Sequence, residues 1–95
     1  MKFGNMSYSI IYHEEVVKDI SKLDSAIKLQ IKKAIELKLM EDPLLFGFPL
    51  RKSLNGYKKL RVGDYRIVFS IHEKTVKIFA IQHRSIVYKK IIGRV

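Results

Sequence analysis

The sequence predicts an α+β domain: an N-terminal strand, an antiparallel two-helix hairpin, and a three-stranded antiparallel meander that completes a four-stranded sheet, followed by a short C-terminal segment. Two features of periodicity carry this. Apolar residues recur at helical spacing between residues 13 and 42 and alternate after residue 57, and a loop rich in proline and glycine separates the two regions. A length of 95 residues then leaves room for one compact domain with a modest core. Residues 1 to 5, which precede the second methionine Met6, read as a flexible leader, and residues 6 to 95 as the single domain.

Taken in order, "SYSIIY" (7–12) has the β-branched and aromatic content of a strand. "HEEVVKDISKL" (13–23) puts Val16, Ile20 and Leu23 on one helical face, with Glu14 and Glu15 in the first turn, where the helix dipole favours acids. Asp24 or Ser25 can cap a second helix carrying Ile27, Ile31, Ala34 and Ile35 at three- and four-residue spacing. Pro43 ends that helix by Asp42. So tight a connection predicts a helical hairpin. "PLLFGFPLRKSLNG" (43–56) is expected to be a loop whose Leu44, Leu45, Phe46 and Phe48 close one end of the core.

Gly63-Asp64 then reads as a two-residue hairpin turn, in an order that suits type II′ better than type I′. Around it Val62 faces Tyr65, Arg61 faces Arg66, Leu60 faces Ile67 and Lys59 faces Val68, with successive pairs on alternate sides. A second turn at Glu73-Lys74 continues the meander. Its core side is expected to carry Leu60, Val62, Tyr65, Ile67, Phe69, Ile71, Val76, Ile78 and Ala80. Its polar side is expected to carry Tyr57, Lys59, Arg61, Arg66, Val68, Ser70, Lys77, Phe79, Ile81 and His83. The first strand has no sequence neighbour to pair with and must join an edge or centre strand of the meander.

Composition removes several classes of function. Cysteine is absent and there are three scattered histidines, which excludes a disulfide framework and thiolate zinc sites. No metal or other cofactor is expected. Apolar runs are too short for a transmembrane span or the core of a signal peptide, so the expected location is the cytoplasm, away from membranes. Net charge is +10, all of it in one half. Residues 1–50 hold seven Lys against seven Asp or Glu, whereas residues 51–95 hold twelve Lys or Arg against Asp64 and Glu73. Such asymmetry points to a polyanionic partner: nucleic acid, ribosome or an acidic protein.

The facing arginines sharpen this reading. Side chains directly opposite on antiparallel strands lie about 4.5–5.5 Å apart at Cβ, where like charges destabilise by roughly 0.2–1 kcal/mol. With Lys59 on the same side and no acid on these strands, Arg61 and Arg66 become favourable when they bind an anion, and guanidinium forks match phosphate. The competing arrangement pairs either arginine with a helix carboxylate such as Asp19, Glu36 or Glu41, or lets it splay into water.

"IFAIQHRSIVYKK" adds titratable groups, His83 and Tyr88, beside Arg84, Lys89 and Lys90. A tyrosine between Arg66 and Arg84 is expected to have its phenolate favoured and so to serve as a base. RNA is cut without metal when a base takes the 2′-OH proton, cations stabilise the pentacoordinate phosphate, and an acid protonates the leaving 5′-oxygen. Tyr88 or His83 can carry the proton transfers, and Lys59, Arg61, Arg66 and Arg84 the stabilisation. Phe79 or Tyr57 can stack a base. Candidate RNA- and phosphate-binding residues are thus Tyr57, Lys58, Arg61, Lys77, Phe79, Lys89 and Lys90.

"LNGYKKLRVGDYRIVFSI", followed by "IFAIQHRSIVYKK", resembles the core of the RelE/ParE toxin superfamily, and "KLMEDP" with the loop after it is similar to the link between helices and sheet in that family. The likeness runs from about Tyr8 to Ile91. It implies a toxin of a type II toxin–antitoxin pair with a short C-terminal helix, bound in a hetero-oligomer by an acidic antitoxin. RelE-like members are ribosome-dependent, metal-free mRNA endonucleases. By position, Lys59 matches a strand lysine, Arg66 the arginine of the "YR" element, Arg84 the arginine after the last strand and Tyr88 the C-terminal tyrosine. Arg61 falls on a commonly basic position, and His83 where some relatives hold a general acid or base. One departure stands out: a second lysine two residues before Lys59 in the RelE pattern is Tyr57 here, and Lys58 points to the opposite side. ParE-like members share the fold and act by binding DNA gyrase without cutting RNA, which gives the alternative reading. A third possibility is a degenerate relative that keeps only antitoxin or nucleic-acid binding.

Overall fold

The computed structural model describes residues 7–95, so the expected leader lies outside the described residues. Its sheet runs in the order β1-β5-β4-β3-β2. β1 (Ser9–Tyr12) lies parallel to β5 (Thr75–His83), and the first strand therefore takes an edge beside the last strand of the meander. The other neighbours are antiparallel: β5 with β4 (Tyr65–His72), β4 with β3 (Lys58–Val62), and β3 with β2 (Phe48–Pro49). All four cross-strand pairs expected around the first turn are present. Gly63 has φ 58° while Asp64 does not take a positive φ, as type II′ requires.

Among the described residues five strands stand where four were expected, because Phe48 and Pro49 pair with Lys59 and Lys58. The 43–56 segment is thus more ordered than a loop. Asp42 accepts a hydrogen bond from the Leu45 N–H at 3.2 Å and opens α3 (Pro43–Phe46), with proline in the first turn, where no amide is missed. Gly47 follows because a Cβ there would lie 2.6 Å from the buried Phe69 ring. Phe46 does pack on the core, but Leu44, Leu45 and Phe48 are exposed, contrary to expectation. A four-residue helix and a two-residue strand have only one inward side each.

α1 (Val16–Ser21) and α2 (Ser25–Ala34) cover one face of the sheet. Asp24 caps α2 by accepting from the Ile27 N–H at 2.9 Å. The chain then widens into a π-helical turn, Ile35–Leu39, closed by the Met40 N–H on the Ile35 carbonyl at 2.9 Å, which buries both Ile35 and Leu39. These helices pack Val16, Leu23, Ile31, Ala34, Ile35 and Leu39 onto Leu60, Ile67, Phe69, Val76, Ile78 and Ile81.

Simple alternation fails at one point on β5. Val68 pairs with Ala80 but Phe69 with Ile78, so Phe79 is an extra residue, a β-bulge. Phe79 and Ala80 consequently share a side, and every later residue changes face. Ala80, expected in the main core, lies with Val68, Phe79, Val87 and Ile91 on the opposite face. Ile81, expected on the polar side, is buried in the main core. His83 pairs with Tyr65 and so moves with it to the side of the helices. The face expected to be polar is itself partly covered, by α4 (Val87–Ile92) and by Leu50, Leu54 and Tyr57. Among the described residues no helix is long and apolar enough to cross a membrane.

Candidate active site

On this second face, β2 and α4 stand apart and leave the outward side chains of β3 uncovered between them. Lys59 and Arg61, two residues apart on β3, line a cleft of about 570 Å³ with Tyr88 of α4 and with Phe48, Pro49, Leu50 and Arg51. The Lys59 ammonium is 6.0 Å from the centre of the Tyr88 ring, within reach of a cation–π contact. Tyr88 presents its ring to this cleft because Val87 and Ile91, its neighbours on the helix, are fully buried beneath α4. Three cations, a phenol and an exposed aromatic ring therefore converge on one open surface.

Arg61 and Arg66 face each other in register, and the structure relieves their repulsion by divergence. Arg66 is 7 % exposed and curls back on the turn, its Nη1 donating to the Gly63 carbonyl at 3.0 Å and the Tyr65 carbonyl at 2.9 Å. Arg61 stays exposed and enters the cleft. Arg66 thus supports the hairpin turn, and these bonds occupy only Nη1, leaving Nη2 and Nε outside them. Asp19, one of the carboxylates considered as their partner, is instead taken by Arg94.

The other candidates are distributed more widely. Arg84 sits at the same turn, its amide donating to the Asp64 carbonyl at 2.8 Å and its Nε 3.7 Å from the Asp64 carboxylate. His83 lies edge-on to Tyr65 at 5.6 Å and its Nδ1 is 2.9 Å from the Ser85 hydroxyl, so the bulge separates it from the Lys59–Tyr88 side. Phe79 is buried against Tyr57, ring centres 5.1 Å apart, and both serve packing where base stacking was expected. Lys77 covers the Phe79 ring at 5.1 Å. Lys58 pairs with Phe69 and faces the helices, as expected. Lys89 and Lys90 are exposed on α4 but do not line the cleft.

Sequence reading missed four residues of the cleft wall: Phe48, which it assigned to core closure, and Pro49, Leu50 and Arg51, to which it gave no role. A usable signal was present: the residue before proline is driven to an extended conformation, which makes "FP" a natural edge pair. Among the described residues, no three His, Cys, Asp or Glu side chains gather as a metal site. On the far side of the sheet, Tyr12 borders an apolar groove with Ile10, Ile20, Ile31 and Ile35. Burial, and then the charge of Glu36, push its phenol above the ordinary tyrosine value.

Known proteins share this fold. A sequence model described as the ParE toxin of the type II toxin–antitoxin system parDE matches residues 10–88. The chain is 32 % identical over 95 residues to the mRNA interferase toxin RelE of Escherichia coli strain K12, covering 95 % of this chain and 99 % of that relative. It is 30 % identical over 87 residues to toxin RelG of Mycobacterium tuberculosis, covering 90 % and 100 %. The RelBE2 toxin–antitoxin complex of M. tuberculosis superposes with a TM-score of 0.77 at 30 % identity, over 82 % of this chain and 99 % of that one. A free form of E. coli toxin RelE gives 0.71 at 26 % identity, over 95 % and 99 %. Taken with the sheet order, these matches show that the chain belongs to the RelE/ParE superfamily of type II toxin–antitoxin toxins.

Proposed function

We propose that this protein is a ribosome-dependent mRNA endoribonuclease that stops translation and is neutralised by an acidic antitoxin. The observation that carries the reading is the meeting of Tyr88, Lys59 and Arg61 in one open cleft beside exposed Phe48. Relatives with this fold are named mRNA interferases, and solved neighbours are RelB–RelE complexes.

In this mechanism Tyr88 takes the proton from a ribose 2′-OH, whose oxygen attacks the adjacent phosphorus. The P–O5′ bond breaks, leaving a 2′,3′-cyclic phosphate and a 5′-oxygen that takes a proton from water in the open cleft. Lys59 and Arg61 hold the equatorial oxygens as negative charge grows, an electrostatic contribution worth more in a partly dry cleft than in water. Phe48 offers a face for an unstacked base. Arg66 orders the hairpin turn beside Arg61, and Arg84 adds positive charge at the same turn. His83 faces the other way, so the proton transfers fall to Tyr88 first.

The test is to incubate the protein with translating ribosomes on a defined mRNA, with EDTA-treated free RNA in parallel, and to map 5′ ends. Cuts in the ribosomal A site are expected. Tyr88→Phe, which removes only the hydroxyl, should slow cleavage about 10²–10⁴-fold, the usual range for a general base. Intact mRNA with folded protein would shift the assignment to the gyrase-binding reading that the ParE description favours, with a supercoiling assay as its readout.

A further inference from the structure

We propose that Asp19 and Arg94 are positioning residues, whose buried ion pair fixes the rotation of α4 and thereby holds Tyr88 over Lys59. This rests on the proposed role of Tyr88 but stands on separate geometry.

β1 pairs with β5 only as far as Ile78, so the bulged end of β5 has a bare edge. Asp19 comes to that edge from α1 and Arg94 from the chain just after α4. Arg94 Nη1 donates to Asp19 Oδ2 at 2.6 Å and Nη2 to Oδ1 at 2.9 Å, a two-pronged pair whose side chains are 10 % and 2 % exposed. The same two residues satisfy the edge backbone. The Ile81 N–H donates to Asp19 Oδ2 at 2.9 Å, and the Phe79 carbonyl accepts from Arg94 Nη1 at 3.1 Å. The Gln82 amide donates to Asp19 Oδ1, which gives the carboxylate four donors. Bonding to Asp19 holds the Arg94 guanidinium in its charged form, its pKa raised above the ordinary value.

The consequence concerns α4. A six-residue helix has little stability of its own. Its orientation comes from what anchors it. Val87 and Ile91 lie four apart on one stripe of α4, and Arg94 follows in the turn that closes the helix, its N–H donating to the Ile91 carbonyl at 2.9 Å. Val87 and Ile91 are apolar contacts without directional preference, while Arg94 is held by three directional bonds. Tyr88 lies one position round the helix from Val87. A small roll of α4 would carry its ring away from Lys59, and misplacement of a reacting group by about 1 Å can cost about 10²-fold in rate.

The test uses Asp19→Asn/Arg94→Gln, which keeps shape and removes the charges, together with Arg94→Lys, which keeps the charge and loses the fork. Three readouts are taken on folded protein: single-turnover cleavage on programmed ribosomes, ribosome binding, and the NMR ring-current shift that Tyr88 imposes on the Lys59 methylenes. The expected result is cleavage lower by about 10²-fold in the double variant, unchanged ribosome binding, a collapsed Lys59 shift, and an intermediate effect in Arg94→Lys. Folded variants that keep the parental shift and rate overturn the proposal. If the parent cleaves nothing, the nuclease reading falls, yet the Lys59 shift still decides whether the pair sets Tyr88. Should both variants unfold, hydrogen exchange on the parent decides: the Ile81 amide and the α4 amides should open together, and α4 opening independently of Ile81 overturns the proposal.

Discussion

On the helical side of the sheet, α1, α2 and the π-helical turn seal twelve buried apolar residues into one cluster, whereas on the other side five such residues lie under α4 and the 48–57 segment. The thick side is covered by α1 and by a helical run continuous from Ser25 to Leu39, the thin side by a two-residue strand, a 3₁₀ turn at Lys52–Leu54 and a six-residue helix. Cover made of short pieces cannot close a whole sheet face, and its gap is the cleft holding Lys59, Arg61 and Tyr88. Apolar burial is therefore concentrated on one face and the candidate site on the other.

The largest test of that division is Phe69→Ala on the thick side. Phe69 is fully buried, and truncation should cost about 3–5 kcal/mol, read as a lower urea midpoint, with activity falling only as the folded fraction falls. Loss of cleavage in protein that remains fully folded would show that the two faces are not separable. Arg61→Ala is the converse. Arg61 is exposed, so stability should change by less than about 0.5 kcal/mol, while cleavage drops about 10²–10³-fold. A folded Arg61→Ala variant with normal cleavage would remove it from the mechanism. It is a cleaner probe than Arg66→Ala, which also strips two bonds from the hairpin turn.

A smaller effect is expected at Ser70, on the thin side. Its hydroxyl is buried without a hydrogen-bond partner among the described residues, so Ser70→Ala should raise stability by up to about 1 kcal/mol. A loss of similar size would mean that the hydroxyl has a partner in solution. Tyr12 gives the smallest effect. Its pKa is raised in the folded protein, so the folded state holds this proton more tightly than the unfolded chain. That contribution is complete below the unfolded value, about pH 10, and is lost as pH rises through the folded value. Tyr12→Phe should therefore flatten the alkaline end of a stability profile, and an unchanged profile would show that the phenol does not titrate with unfolding.

Much of this was legible in the sequence. Helical spacing marked Val16, Leu23, Ile31, Ala34 and Ile35 as buried, Asp24 announced a cap, and Gly63-Asp64 set a register that placed Lys59 and Arg61 on one side and Leu60 and Ile67 on the other. These are local rules, each needing only a few neighbouring residues. The one-sided concentration of charge likewise pointed to a polyanion without any coordinates.

Tertiary structure decided what depends on residues far apart in the chain. The bulge at Phe79 moved Ala80, Ile81 and His83 across the sheet, because strand alternation has a period of two and one inserted residue inverts everything after it. A two-residue strand too short to show a period became one wall of the cleft. Asp19, on the inward stripe of α1, and Arg94, at the end of the chain, gave no sign of each other across 75 positions. Sequence determined the longer elements and where the charge lies; long-range packing, which alone can bury a charge against its partner, decided where Asp19 meets Arg94 and which side chains share the cleft with Tyr88.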